Sequence, residues 1–147
     1  MPGIIVGVDG SGHSRRALEW AINEAAVRHA PLTVLTVHQA VRSVWTGAPV
    51  EYPGDAALLA DACKAAQEET DAVLDQLTAQ TPRPEVTIQA VGGQPAEAIL
   101  RAAAGADMIV VGSRGAGGFT KLLLGSVTSQ VTHHARCPVV VIPAEES

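Results

Sequence analysis

Three glycines and a serine carry most of the chemistry this sequence can do. Gly112, Gly115, Gly125 and Ser126 stand in the spacing Gly-x2-Gly-x9-Gly-Ser, after the apolar run from Asp107 to Val111 and ahead of a helical pattern. A stretch of this kind suits an anion. The first N–H groups of a helix lack intrahelical acceptors and lie at the positive end of its dipole, worth about 0.3–1 kcal/mol per exposed charge. Gly112 and Gly115 permit positive φ and a close approach of backbone to a phosphate. Gly125 keeps the helix mouth open, and the Ser126 hydroxyl can cap the helix or donate to a phosphate oxygen. Thr128 and Ser129 add hydroxyls in the same turn, while Arg114 and Lys121 are the cations of the loop. The Gly-Lys-Ser/Thr triplet of a P-loop is absent, and the first turn, Gly10-Ser11-Gly12-His13-Ser14-Arg15, lacks the third glycine of a dinucleotide fingerprint. Taken by itself, a loop of this composition serves equally as a plain connection.

Other candidates are weaker. Asp9 ends the first apolar run, where it can hydrogen-bond a ligand, help hold a divalent metal beside phosphates, or cap the following turn. His133 and His134 occupy the last turn of a helix, and adjacent helical positions diverge, which argues against a shared metal. His13 and His38 have no nucleophile to serve, and no Ser-His-Asp arrangement or carboxylate pair is evident, so no catalytic residue is assigned. Trp45 and Tyr52 are expected to pack a long loop rather than hold a cofactor. Cys63 and Cys137 are far apart and fit neither a disulfide framework nor a metal spacing, so they read as buried thiols.

The elements that must position these residues alternate along the chain. Residues 3–9 form a short β-type run, followed by a helix capped by Ser11 or Ser14, with Leu18, Ala21, Ile22 and Ala25 on one face. Pro31 is expected to stop that helix, and residues 32–38 read as a second strand. Residues 39–54 are the longest irregular segment. Asp55 opens a long helix carrying Leu59, Ala62, Cys63, Ala66, Thr70, Val73 and Leu77 at helical spacing. A third strand is expected over 85–91, and a helix opened by Gly92-Gly93-Gln94-Pro95 uses Pro95 where a missing N–H costs nothing. Strand four covers 107–111, a short helix runs from Ser126 to about Ala135, and a last strand covers 138–142. This alternation implies a parallel sheet with right-handed crossovers, an open α/β fold in one domain over residues 1–147.

Composition agrees. Apolar residues make up 47% of the 147 and aromatic residues 3%, so the core is built from Val, Ile, Leu and Ala, as in a sheet covered on both faces. The formal charge of −5 gives no electrostatic reason for a nucleic-acid or anionic-membrane partner, and an anionic ligand needs a local site. No basic, signal-like segment opens the sequence and no apolar run approaches a membrane span, so a cytoplasmic protein is expected.

The glycine spacing after strand four, the opening IIVGVDGS, the second strand ending LTVHQA and the closing CPVVVIP together resemble the universal stress protein family over nearly the whole chain. The resemblance implies a Rossmann-like open five-stranded parallel sheet of order 3-2-1-4-5 with helices on both faces. It implies ATP as ligand, with Mg2+, and a homodimer formed through the strand at 138–142. By position, Gly7, Val8 and Asp9 line the nucleoside side, with Asp9 toward the metal, and the Val37 backbone meets adenine. Val111, Gly112, Gly115, Gly125, Ser126 and Val127 surround ribose and phosphates, with Arg114 and Thr128 beside them. The implied role is a nucleotide-responsive regulatory dimer in the stress response. The alternative is a slow ATPase or a nucleotidyl-transfer enzyme. Adenylating relatives of this fold carry a Ser-Gly-Gly-x-Asp-Ser type loop after strand one, and Asp9-Gly10-Ser11-Gly12-His13-Ser14 departs from it.

Overall fold

Short β-branched runs and alanine-rich helices alternate, and each helix crosses back over the sheet it has just left. The computed structural model describes residues 3–39, 41–42, 44–50, 54–77, 80–113 and 125–143. Its elements are β1 (Ile4–Val8), α1 (Gly12–Arg28), β2 (Leu32–Gln39), β3 (Val41–Arg42), β4 (Pro49–Val50), α2 (Asp55–Asp75), β5 (Val86–Gly93), α3 (Pro95–Ala102), β6 (Met108–Gly112), α4 (Ser126–His134) and β7 (Val139–Ile142). The main sheet has the order β5-β2-β1-β6-β7, with every neighbouring pair parallel. Counting its five strands along the chain gives the expected 3-2-1-4-5.

Strand alternation sends successive side chains to opposite faces. Ile4, Val6 and Val8 of β1, with Val110 of β6 and Ile142 of β7, pack beneath α1 and α2. Ile5, Leu35, Ile109 and Val111 pack on the other face with Ile99 of α3 and Val131 of α4. In α1, Ala17, Ala21 and Ala25 bring the helix backbone close to the sheet, and the fully buried Leu18 and Ile22 fill the seam. Each of those two large side chains contributes about 1.5–3 kcal/mol by leaving water.

Several details differ from the sequence expectation, three of them with a visible cause. Helix α1 stops at Arg28 because His29 takes a left-handed conformation, φ 54°, and the Ala30 N–H returns to the Ala25 carbonyl at 3.0 Å, before Pro31 is reached. Strand β5 runs on through Gly92 and Gly93, which pair with His38 and Gln39, so the following helix begins only at Pro95. Within 39–54, Val41 pairs with Val50 and Arg42 with Pro49 in a small antiparallel hairpin. A pair of two-residue strands is too short for a period of two to register in the sequence. Trp45 does not pack this segment: it is 91% exposed. Tyr52 lies outside the described residues. Among the described residues no helix is long and apolar enough to cross a membrane.

Candidate functional site

Strands β1 and β6 lie side by side, with Ile4, Ile5 and Val6 in register with Met108, Ile109 and Val110. Beyond their C-terminal ends the chain leaves in opposite directions. After β1 it enters α1, on the face of Val6 and Val8; the chain that continues β6 returns as α4, on the face of Ile109 and Val111. Such a divergence opens a crevice at the strand ends, the place where open α/β sheets hold ligands.

On the β1 side, Asp9 is exposed and folded into the turn that starts α1. Its Oδ1 accepts the Ser11 N–H at 2.9 Å and the Ser11 hydroxyl at 2.5 Å. The Ser11 Oγ in turn accepts the Ser14 N–H at 3.2 Å as helix cap. The Ser14 hydroxyl, 5% exposed, accepts the Asp9 N–H at 3.1 Å and donates to the Ser11 carbonyl at 3.2 Å. Asp9 thus does the turn-holding that its position allowed, and a cation at Asp9 would compete with Ser11 for that oxygen. Among the described residues no group of three or more His, Cys, Asp or Glu side chains could hold a metal by itself.

On the β6 side, Val111, Gly112 and Ser113 are buried. The Ser113 N–H donates to the Ile142 carbonyl at 2.8 Å, and the Ser113 carbonyl accepts the Gly125 N–H at 2.6 Å. The Thr128 hydroxyl donates to the Gly112 carbonyl at 2.5 Å. Helix α4 begins behind Gly125, whose extended backbone (φ −68°, ψ 162°) leaves the helix without a side-chain cap. The first hydrogen bond back to that cap comes from the Ser129 N–H, at 2.9 Å. The amides of Ser126, Val127 and Thr128 therefore have no intrahelical acceptor. Ser126 is exposed and Val127 half-buried, its side chain resting against the core beneath α3 and α4. Arg114 and Gly115, and with them Lys121, lie outside the described residues.

The remaining expected positions separate by face. Val37 is half-buried near the end of β2, on the same face as Val111, one residue past the Val8–Thr36 pair. Val8 turns its side chain the other way, into the core beneath α1, so only its backbone borders the crevice. Gly7 faces Ile99 of α3, where an added Cβ would stand 3.1 Å from Ile99 Cδ1. His38 contacts Asp55, the first residue of α2, with Nε2 3.3 Å from Oδ1. His133 and His134 do not diverge as adjacent helical residues are expected to: their rings meet edge to face, centroids 4.8 Å apart. Sequence reasoning missed Ser113, whose role lies in its backbone, and offered Ser14 only as an alternative cap to Ser11; the cap is Ser11, and Ser14 acts through its buried hydroxyl. The Ser11-x2-Ser14 spacing at a helix start was the available signal for that hydroxyl.

Charge near the crevice is mixed. Burial pushes the Glu69 carboxyl of α2 above its usual range, Arg15 draws it back, and Asp9 and Glu19 push it further up. At the opposite, N-terminal end of the strands, burial, with a smaller contribution from Asp107, pushes the Cys137 thiol up. Both cysteines are half-buried rather than buried.

The family model for universal stress proteins matches residues 2–143. A universal stress protein of Thermus aquaticus is 36% identical over 141 residues, covering 95% of this chain and 96% of that one. The chain spans about half the length, 49%, of the Mycobacterium tuberculosis universal stress protein to which it is 34% identical. The solved universal stress protein UspA of Lactobacillus plantarum superposes with a TM-score of 0.71 at 30% identity, covering 96% of this chain and 97% of that one. A universal stress protein solved in complex with cAMP gives 0.67 at 26% identity, with 97% and 96% covered. A single model that runs from β1 to β7 takes in the crevice, its glycines and the edge strand together, and the chain belongs to the universal stress protein family.

Proposed function

We propose that this chain is a nucleotide-binding domain that takes ATP, with Mg2+, in the crevice between β1 and β6 and works as a cytoplasmic, nucleotide-responsive regulatory dimer in the stress response. One observation carries the reading: an uncapped helix start, opened by Gly125, stands beside β6 at the point where the sheet's connections diverge. The amides of Ser126 and Val127 suit phosphate, Gly112 and Val111 border the ribose, and the half-buried Val37 offers backbone to adenine. Gly7 and Val8 contribute backbone alone. Arg114 and Gly115 complete the phosphate side by the glycine spacing. Mg2+ is held chiefly by phosphate oxygens, with Asp9 as the protein contact. That a similar protein was solved with cAMP supports an adenine nucleotide, and the Gly-x2-Gly-x9-Gly-Ser spacing favours ATP.

The dimer rests on β7. The carbonyls of Pro138 and Ile142 serve β6, so by strand alternation the N–H and C=O of Val139 and Val141 face the outer edge. An apolar edge of this kind is a hazard unless paired, and a second copy aligned antiparallel covers it with a two-fold interface. Val141→Pro removes an outward N–H without touching the β6 ladder and should yield monomers in sedimentation.

The deciding experiment is calorimetric titration of purified, nucleic-acid-free protein with ATP, ADP, AMP and cAMP, beside chromatography of any nucleotide released on denaturation. With two Trp and one Tyr in the chain, retained adenine also shows as a raised 260/280 nm absorbance ratio. Gly125→Ala should weaken ATP binding. If the wild type takes none of the four nucleotides and Gly125→Ala changes nothing, the reading fails. Steady accumulation of ADP would favour the slow ATPase or nucleotidyl-transfer reading instead.

A further inference from the structure

Most helix starts are fixed by a Ser, Thr, Asp or Asn cap whose side chain accepts one of the first amides. Such a cap steadies the helix and at the same time consumes a donor that an anion could use. Helix α4 is built otherwise. Its cap is Gly125 with no side-chain bond, and the first turn is fastened from the flank. Two ties do this. The Gly125 N–H reaches the Ser113 carbonyl at 2.6 Å, a bond any non-proline residue could make. The Thr128 hydroxyl reaches the Gly112 carbonyl at 2.5 Å, a bond that depends on the side chain. Thr128 is 4% exposed, and its hydroxyl proton is already given to Gly112. Direct donation to a ligand would break that bond.

Gly112 closes β6 in register with Ile142 of β7, and the Ser113 N–H is held by the Ile142 carbonyl. The anchor point is therefore part of the sheet, and whatever hangs from it inherits the sheet's rigidity. We propose that Thr128 is a positioning residue: through Gly112 it aims the open α4 amides at a nucleotide phosphate, without touching the nucleotide itself. This rests on the nucleotide reading given above and changes one expectation of the sequence, moving Thr128 from beside the phosphates to the support behind them.

The test compares wild type with Thr128→Ser and Thr128→Ala, titrated with ATP by calorimetry and with adenosine by NMR. Serine and alanine both lack the methyl group, so this pair isolates the hydroxyl. Thr128→Ser should keep ATP affinity within about threefold, and Thr128→Ala should lose about tenfold, the scale of one net hydrogen bond. Adenosine affinity should be equal in all three, because only the phosphate depends on the aimed amides. Equal ATP affinity in the serine and alanine variants overturns the proposal, as does a parallel loss of ATP and adenosine. Thr128→Val, which keeps volume, stands in if the alanine variant does not fold. Failure of both to fold while the serine variant folds assigns Thr128 to stability alone and also overturns it. A wild type that binds neither ATP nor adenosine removes the nucleotide reading itself, an outcome separate from the others.

Discussion

Ile99 of α3 fills the space in front of Gly7 of β1: a Cβ at residue 7 would lie 3.1 Å from Ile99 Cδ1 and 3.8 Å from Val111 Cγ1. Helix packing thus supplies its own reason for glycine here, independent of any ligand. Alanine is nearly accommodated, because Ile99 Cδ1 is the far end of a side chain that can shift by a few tenths of an ångström. Valine is not, and Gly7→Val should lower the unfolding free energy by about 1–3 kcal/mol, the range for overpacking a core. In an Ile99→Ala background the same substitution should lose much of that effect, with a coupling of at least about 0.5 kcal/mol in urea unfolding. An undiminished loss in that background would place the crowding elsewhere.

That pair also marks where the sequence stops being legible. The alternation of strands and helices, the α2 start at Asp55 and Pro95 at the first position of α3 follow from period, caps and proline chemistry, all local signals, whereas the sheet order is implied by the family resemblance. Given that order, the crevice follows from the direction of each connection. What the residue pattern does not carry is contact between elements distant in the chain. Nothing near Gly7 announces Ile99, and nothing near Thr128 announces the Gly112 carbonyl. His29 shows the same limit at short range: a left-handed histidine ends α1 where Pro31 was the visible stop. Arg16 adds a further case, its Nη1 reaching the Pro143 carbonyl at 2.7 Å across nearly the full chain.

The turn after β1 is stabilised by one hydroxyl used twice. Ser11 Oγ accepts the Ser14 N–H at 3.2 Å and donates to Asp9 Oδ1 at 2.5 Å. Ser11→Ala should therefore cost about 1 kcal/mol of stability, within the usual range of about 0.5–2 for a lost cap. Urea unfolding measures it. A loss of only a few tenths would mean that the bonds around Asp9 do not hold in solution, which would leave Asp9 without its present anchor.

The two tryptophans should report different environments. Trp45, beside the 93%-exposed Val44, is 91% exposed, while Trp20 is half-buried against the core beneath α1 and α2. Trp45→Ser should remove most of the fluorescence that iodide can quench, yet change the unfolding free energy by less than about 0.5 kcal/mol, as for most surface positions. Strong protection of Trp45 from iodide in the wild-type protein would show that something covers the hairpin in solution.

Glu69 gives the fold an acid-side signature whose sign can be stated. Its Oε1 is buried without a hydrogen-bond partner among the described residues. Burial raises the carboxyl above its ordinary value near 4.5, with Arg15 opposing and Asp9 and Glu19 reinforcing. A folded-state value above the unfolded one means that the native state holds this proton more tightly. The contribution to stability is then fully present below the unfolded value and is lost as pH rises through the folded one. At neutral pH the native protein carries the penalty of a half-buried carboxylate, screened in part by solvent and Arg15. Glu69→Gln keeps the shape and removes the charge, so the variant should melt higher than wild type at pH 7. The gap should narrow as pH falls and the wild-type carboxyl takes up its proton. Paired thermal melts from pH 4 to pH 8 test this, since groups that do not interact with Glu69 titrate alike in both proteins. Equal melting temperatures across the range would mean that the Glu69 carboxylate reaches water or a cation in solution.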